Sequence, residues 1–192
     1  MAGYSAGGNL TLTAPQLNGL HKRNKGVVAI YPVADLSRTL KTRMETATPP
    51  VGREDILISL SPAFNWAYLP TNQDLQDPLL SPIFAPREVF PQKLYVIGCE
   101  YDLLFAEGKD FAIKLAELDG GGVASAKQEL GSGRIGWKSN SVTWEELKGL
   151  EHGFNSRYAT EANKERSELW KKRTEEMHAR IAEWLFKEVY ND

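Results

Sequence analysis

Short runs of apolar residues predict three buried strands in this chain. The run Gly26-Val27-Val28-Ala29-Ile30-Tyr31 is almost continuously apolar, and Lys93 to Cys99 has the same character. Such runs are typical of parallel strands covered by helices on both faces. The run Val142 to Leu147 mixes apolar and charged residues, which favours a strand exposed on one face or at a sheet edge. The pattern predicts an α/β fold with about three parallel strands.

Two segments have the apolar spacing of helices. The first extends from Ser5 to Leu20, and Pro15 predicts a break or kink within it. The second extends from about Ala162 to Val189 and carries glutamate–lysine or glutamate–arginine pairs four residues apart. Its apolar positions are Leu169, Trp170, Met177, Ile181, Trp184, Leu185 and Val189. We expect these helices to flank the sheet, and the second to cover it.

Two connections are too long to be simple crossovers. The first is rich in proline and contains the aromatic stretch Phe64-Asn65-Trp66-Ala67-Tyr68. Its length predicts short helices of its own and a cap-like insertion at about residues 36–75. Residues 119–140 are rich in glycine and serine, which predicts a mobile surface loop. We expect residues 1–192 to form part of one domain.

Composition and net charge exclude several classes of binding partner for this chain. The chain has 192 residues and a formal net charge of −2, so it carries no basic field for nucleic acid or an anionic membrane. No apolar run reaches the roughly 18 residues of a membrane span, and we expect a cytoplasmic location. The single cysteine, Cys99, lies in an apolar run and is expected to be a buried thiol. No cluster has metal-ligand spacing, and we expect neither a metal nor another cofactor.

The sequence Gly3-Tyr4-Ser5-Ala6-Gly7 matches the G-x-S-x-G pattern of serine hydrolases. There the pattern forms a sharp strand-to-helix turn, whose small flanking residues leave the serine hydroxyl exposed. The turn requires a strand before it, and only Met1 and Ala2 precede Gly3 in this sequence. We therefore expect the turn to lack its strand.

Three polar residues follow predicted strands or begin a predicted helix. Ser5 begins the first helix, Asp102 follows the second strand, and His152 follows the third. Their order is that of the α/β-hydrolase triad, and the carboxyl ends of parallel strands form the sites of open α/β sheets. Asp35 and Glu100 are competing acids. We favour Asp102 because a helix is predicted to begin just after it.

Each of these residues also has a purely structural interpretation. A G-x-S-x-G match arises by chance, an aspartate after a strand commonly caps a helix, and a single histidine is more often structural than catalytic. It is the agreement of the three positions that favours a catalytic site. The other histidines, His21 and His178, lie in polar or charged segments and are expected to be solvated.

Several segments together resemble one known family, the hormone-sensitive-lipase-like branch of the α/β hydrolases, also called the α/β-hydrolase fold-3 family. The resemblance implies hydrolysis of a small-molecule carboxylic ester, with Ser5 as nucleophile, His152 as base and Asp102 as its orienting acid. It also implies an oxyanion hole to which the backbone N–H of Ala6 contributes. The matching segments are Gly3-Tyr4-Ser5-Ala6-Gly7-Gly8-Asn9-Leu10, Tyr31-Pro32-Val33-Ala34-Asp35-Leu36, Asp77-Pro78-Leu79-Leu80-Ser81-Pro82, Gly98-Cys99-Glu100-Tyr101-Asp102-Leu103-Leu104 and His152-Gly153-Phe154.

The chain departs from the family pattern in three ways. Tyr4 stands where the family usually has aspartate, and Ala106 replaces a second acid that often follows the catalytic aspartate. The family's His-Gly-Gly oxyanion motif and about half of its sheet are expected before Ser5, so this chain resembles a C-terminal half. We therefore expect impaired catalysis, and self-association through an unpaired edge at Val27 to Ile30.

Two other functions remain open at this point. One is a non-catalytic truncated fragment, and the other is a ligand-binding module, because receptor-like members of the family use the pocket without turnover. Receptor members have an incomplete triad, whereas all three residues are present here, which favours a hydrolytic ancestor. The cap aromatics Phe64, Trp66 and Tyr68, with Leu69, are expected either to line an apolar pocket or simply to pack.

Overall fold

The computed structural model of the chain describes residues 1–48, 55–120, 127–130, 134–156 and 164–191. The chain divides into two compact units, Met1–His152 and Gly153–Asp192. Among the described residues, the first unit holds the sheet and four α-helices, and the second holds one long α-helix. Within the described ranges, no helix combines the length and the apolarity that crossing a membrane requires.

The first unit is built on a mixed six-stranded sheet with strand order β1-β2-β3-β6-β5-β4. Strands β1, β2, β3 and β6 are parallel, and β5 and β4 continue the sheet in antiparallel pairing. The predicted α/β fold class and its three parallel strands, which are β2, β3 and β6, are confirmed. The strands are β1 (Ala2–Tyr4), β2 (Gly26–Ile30), β3 (Lys93–Tyr101), β4 (Lys127–Glu129), β5 (Ile135–Lys138) and β6 (Val142–Glu151).

Strand β1 corrects the expectation that the serine turn lacks a preceding strand. Its three residues pair in parallel with Val28 to Ile30 of β2. The Ser5 N–H extends this pairing by donating to the Ile30 carbonyl at 2.9 Å. Three residues are enough because β2 supplies their hydrogen-bond partners. Strand β2 is thus paired on both sides, and the argument for self-association through an unpaired β2 edge is wrong.

The charged residues of β6 predicted a strand exposed on one face or at a sheet edge, but β6 lies inside the sheet and most of its residues are buried. It pairs with β3 on one side and with β5 on the other. Its Glu145 is only 2% exposed and accepts hydrogen bonds from Tyr95 and Arg134. Tyr95 lies on β3 and Arg134 lies just before β5, and together they satisfy a buried charge that a single strand could not.

The segment 119–140 contains two strands where the sequence predicts a mobile loop. Strands β4 and β5 pair in antiparallel fashion, with Lys127 opposite Lys138. Residues 121–126 and 131–133 of the predicted loop lie outside the described residues.

The helices follow the apolar spacing of the sequence. Helix α1 ends at Thr13, where Ala14–Gln16 continue as a 3-10 turn containing Pro15, in agreement with the predicted break. The segment proposed as a cap carries the short helices α2 and α3, whose N-caps are Thr39 and Asp55. Residues 49–54 of this segment lie outside the described residues. The helices are α1 (Ala6–Thr13), α2 (Leu40–Thr46), α3 (Ile56–Tyr68), α4 (Phe105–Leu118) and α5 (Lys164–Trp184).

A buried apolar cluster supports the strands that end at the site. It joins α1, β2, β3, β6 and α4, and within it the ring of Trp144 of β6 packs over Gly98 of β3. A Cβ on Gly98 would lie 2.4 Å from Trp144 Cη2, so only glycine fits beneath this ring. Close packing of this kind holds β3 and β6 in fixed positions relative to each other.

A buried ion pair fixes the loop that follows β2. Arg43 of α2 and Glu107 of α4 are 4% and 1% exposed, and Nε donates to Oε2 at 2.8 Å. The Glu107 carboxylate also accepts from the N–H of Ala34 at 3.0 Å, and Arg43 donates to the carbonyl of Asp35 at 2.7 Å. The pair therefore ties two helices to one loop beside the carboxyl end of the sheet.

Candidate active site

Ser5 occupies a strained turn between β1 and α1. Its backbone has φ 53° and ψ −120°, a conformation that residues with a Cβ rarely adopt and that costs on the order of 1–3 kcal/mol. A Cβ on Gly3 would lie 2.3 Å from the Gly7 carbonyl oxygen, so the turn requires glycine at position 3. The tight turn directs the Ser5 hydroxyl out of the sheet, as the G-x-S-x-G pattern predicts.

Alanine substitutions at Gly3 and Gly7 should have different effects on stability. Gly3→Ala should lower the free energy of unfolding by about 1–3 kcal/mol, because the new Cβ overlaps backbone atoms. Gly7→Ala meets no atom within 4 Å and replaces a helical glycine, so it should be neutral or stabilise by up to about 1 kcal/mol. Urea unfolding of both variants measures the difference. Equal effects would contradict the observed turn.

Asp102 lies directly after β3 in a fully buried position. Its Oδ1 accepts a hydrogen bond from the N–H of Leu104 at 2.8 Å, and its Oδ2 lies 2.9 Å from His152 Nδ1. An ionised carboxylate only accepts hydrogen bonds, so with Asp102 as a carboxylate the tautomer that fits this contact has Nδ1 protonated. The carboxylate therefore fixes both the orientation and the tautomer of the imidazole.

His152 directly follows β6, and its ring joins the other two side chains. With Nδ1 protonated, Nε2 is an acceptor, and it lies 2.8 Å from Ser5 Oγ. The Tyr31 ring packs against the imidazole in a T-shaped arrangement at a centroid distance of 4.9 Å. The structure thus brings Ser5, His152 and Asp102 into one hydrogen-bonded chain at the carboxyl ends of β1, β6 and β3.

The competing acids are engaged in other contacts. Asp35 accepts from the N–H of Ser37 at 3.0 Å and from Arg38 Nε at 3.2 Å. Glu100 accepts from Lys148 Nζ at 3.0 Å and from the N–H of Gly149 at 2.8 Å. Asp102 is accordingly the acid that contacts His152.

Ala6 is the first residue of α1, so its N–H has no acceptor within the helix. This N–H follows the serine directly, in the position that the predicted oxyanion donor requires. Of the other histidines, His178 is exposed and His21 is half-buried.

Two residues near this chain of hydrogen bonds were not predicted from the sequence. Tyr31 directly follows β2 with φ 37°, and its ring also packs against Tyr4 at 5.8 Å. Asp55 caps α3 and accepts a hydrogen bond from the N–H of Leu103. An aspartate before the apolar run Ile56-Leu57-Ile58 is a recognisable helix start, but nothing in the sequence connects it with Asp102.

Among the described residues, no group of three or more histidine, cysteine, aspartate or glutamate side chains could hold a metal ion. Cys99 is fully buried in β3, as predicted. Burial raises the pKa of its thiol well above the usual value, and the nearby carboxylates of Asp102 and Asp55 raise it further. The neutral thiol is therefore a packing residue.

A family model described as alpha/beta hydrolase fold matches residues 1–131, which include Ser5 and Asp102. This match covers more than half of the chain. The chain belongs to the alpha/beta hydrolase fold-3 family. His152 lies beyond the matched residues, and the structure places it against the other two.

Several solved structures of esterases and related enzymes have the same fold. An esterase from Pyrobaculum calidifontis is 27% identical, with a TM-score of 0.59 over 88% of this chain and 50% of the esterase. An alpha/beta hydrolase enzyme from the metagenome of Lake Arreo in Spain is 24% identical, with a TM-score of 0.59 over 88% of this chain and 47% of the enzyme. Carboxyl esterase 2 from the fungus Tuber melanosporum is 23% identical, with a TM-score of 0.53 over 80% of this chain and 44% of the esterase.

The chain spans about half the length of these solved structures. Among curated proteins, no significant match was found. The two relatives below 25% identity show a common fold with this chain. Tyr4 directly precedes Ser5 in this chain, and burial raises the pKa of its hydroxyl.

Proposed function

We propose that this chain carries the catalytic triad of a serine hydrolase of carboxylic esters. The observation that carries the proposal is the continuous hydrogen bonding from Ser5 Oγ through His152 to Asp102, with distances of 2.8 and 2.9 Å. A structural histidine does not require a strained serine on one side and a buried carboxylate on the other. The similarity to esterases supports the choice of ester chemistry.

The proposed mechanism is acyl transfer through a covalent intermediate. His152 Nε2 takes the Ser5 hydroxyl proton as Oγ attacks the ester carbonyl carbon, and Asp102 stabilises the resulting imidazolium. The tetrahedral intermediate collapses, the imidazolium protonates the leaving alkoxide, and an acyl-serine remains. Water then attacks the acyl carbon with His152 again acting as base, which releases the carboxylic acid and restores Ser5.

The oxyanion of the tetrahedral intermediate requires several fixed donors. Ala6 N–H is one proposed donor. The family resemblance assigns others to a His-Gly-Gly segment, and the 192-residue sequence contains no such segment. Removing one donor lowers turnover by roughly 100- to 1,000-fold. We therefore propose that this chain, by itself, is an impaired catalyst.

The segment at about residues 36–75 is proposed to act as a cap over the substrate. In α3, Phe64, Trp66 and Tyr68 are 54%, 86% and 56% exposed, so these rings are not core residues. Large exposed apolar side chains of this kind are suited to binding the acyl or alcohol group of an ester.

Ester hydrolysis by the purified chain tests this proposal. With p-nitrophenyl butyrate, wild type should show slow hydrolysis that Ser5→Ala abolishes, and addition of a separately expressed family segment carrying the His-Gly-Gly motif should increase it. Rapid hydrolysis by the chain alone would contradict the proposed impairment. Identical slow rates for wild type and Ser5→Ala, with and without the added segment, would favour a non-catalytic fragment or a ligand-binding module.

A further inference from the structure

A second buried carboxylate lies next to the loop that carries Asp102. Asp55 is 6% exposed, and its two oxygens have different partners. Oδ1 accepts from the N–H of Leu57 at 2.8 Å, which caps α3. Oδ2 accepts from the N–H of Leu103 at 2.6 Å, and Leu103 directly follows the acid of the triad. One side chain thus connects the proposed cap to the loop formed by Asp102, Leu103 and Leu104, which we call the acid loop.

The acid loop has two successive backbone N–H groups, and each donates to a different carboxylate. Leu103 N–H donates to Asp55, and Leu104 N–H donates to Asp102 itself. The Asp102 hydrogen bond is local and moves with the loop. The Asp55 hydrogen bond comes from a helix 48 residues away in sequence and fixes the loop against a separate element.

Apolar packing surrounds this contact. Leu57, Leu103 and Leu104 form a buried cluster, with Val33, Leu40, Ala47 and Ile58 packed against it. Burial raises the pKa of Asp55 and the charge of Asp102 raises it further, whereas the hydrogen bonds from the N–H groups of Leu57 and Leu103 lower it. Two carboxylates placed so close repel each other, and a helix cap alone does not require that placement.

We infer that Asp55 is a positioning residue, which holds the Asp102 loop in the position where Asp102 contacts His152. This inference rests on the proposed function for its catalytic meaning. Asp55 does not contact the reacting atoms, and it acts through Leu103. Its loss should loosen the hydrogen bond between Asp102 and His152 while the fold remains intact.

Proton NMR of the low-field Nδ1–H of His152 tests the inference without requiring turnover. Asp55→Asn removes the charge and one acceptor, and Asp55→Ser retains an N-cap for α3 but is too short to reach Leu103. Both variants should exchange this proton with water at least about 10-fold faster than wild type, through local opening of the loop. Asp74→Asn is the matched control, because exposed Asp74 accepts from the N–H of Gln76 in the same local geometry.

Wild-type exchange in both Asp55 variants would overturn the inference, as would absence of the resonance from wild type. An Asp55→Ser chain that does not fold would also overturn it, because Asp55 would then be needed for the fold itself. If only Asp55→Asn fails to fold, the exchange rate in Asp55→Ser decides whether the inference stands.

Labelling of wild type by a fluorophosphonate is measured in parallel. A chain that shows the resonance but is not labelled would refute the proposed function and leave the positioning role of Asp55 standing.

Discussion

Asp102→Asn should lower the rate at which a fluorophosphonate labels Ser5 by about three to four orders of magnitude. The amide cannot hold His152 in the tautomer with a protonated Nδ1, because its NH2 group donates where the carboxylate accepted. Nε2 then carries the proton and cannot accept that of Ser5. Intact-protein mass spectrometry over time gives the labelling rate.

Asp35→Asn is the matched control for this prediction. Asp35 is a buried aspartate after the neighbouring strand, and its carboxylate contacts Ser37 and Arg38. Its substitution should change the labelling rate by less than about threefold, since it does not touch His152. A strong loss in Asp35→Asn, or none in Asp102→Asn, would show that the acid has been assigned incorrectly.

Arg43→Met should lower the free energy of unfolding by about 3–5 kcal/mol at pH 8, because it leaves the buried Glu107 carboxylate without its cation. Burial has the largest effect on Glu107 and raises the pKa of its carboxyl group to about 7, although the charge of Arg43 and its hydrogen bond lower this pKa. Loss of the arginine should raise this pKa further. Urea unfolding at pH 8 and at pH 5 measures the effect.

The direction of the pH dependence follows from protonation. A carboxyl group whose pKa is raised in the folded state contributes most to stability at low pH, and this contribution is lost as the pH rises through the folded-state pKa. The destabilisation by Arg43→Met should therefore be smaller at pH 5, where Glu107 is protonated, than at pH 8. The double variant Arg43→Met with Glu107→Gln should recover most of the loss at pH 8. A loss that is the same at both pH values would contradict this account of the pair.

Continuous apolar runs made the central strands predictable. The run Val27 to Ile30 can be buried on both faces only in a sheet covered by helices, and the run in β3 has the same property. Because parallel strands end at one edge, the positions of Asp102 and His152 after β3 and β6 were enough to predict that they meet near Ser5.

Other features depend on partners that are far away in sequence. Strand β1 has only three residues, too few for a periodic pattern, and it exists because β2 pairs with it. The charged Glu145 made β6 resemble an exposed strand. Its partners could not be identified from the local sequence, because Tyr95 lies 50 residues away and Arg134 lies outside β6. Asp55 was missed for the same reason, since its contact with Leu103 spans 48 residues.

Mapping the fluorophosphonate adduct tests the central claim most directly. The wild-type chain is incubated with the reagent, digested and sequenced by mass spectrometry, with Ser5→Ala and His152→Ala treated in parallel. The triad predicts a single adduct on Ser5, absent from Ser5→Ala and at least about 1,000-fold slower to form in His152→Ala. An adduct on another residue, or equal labelling of Ser5 in the wild type and His152→Ala, would contradict a triad of Ser5, His152 and Asp102.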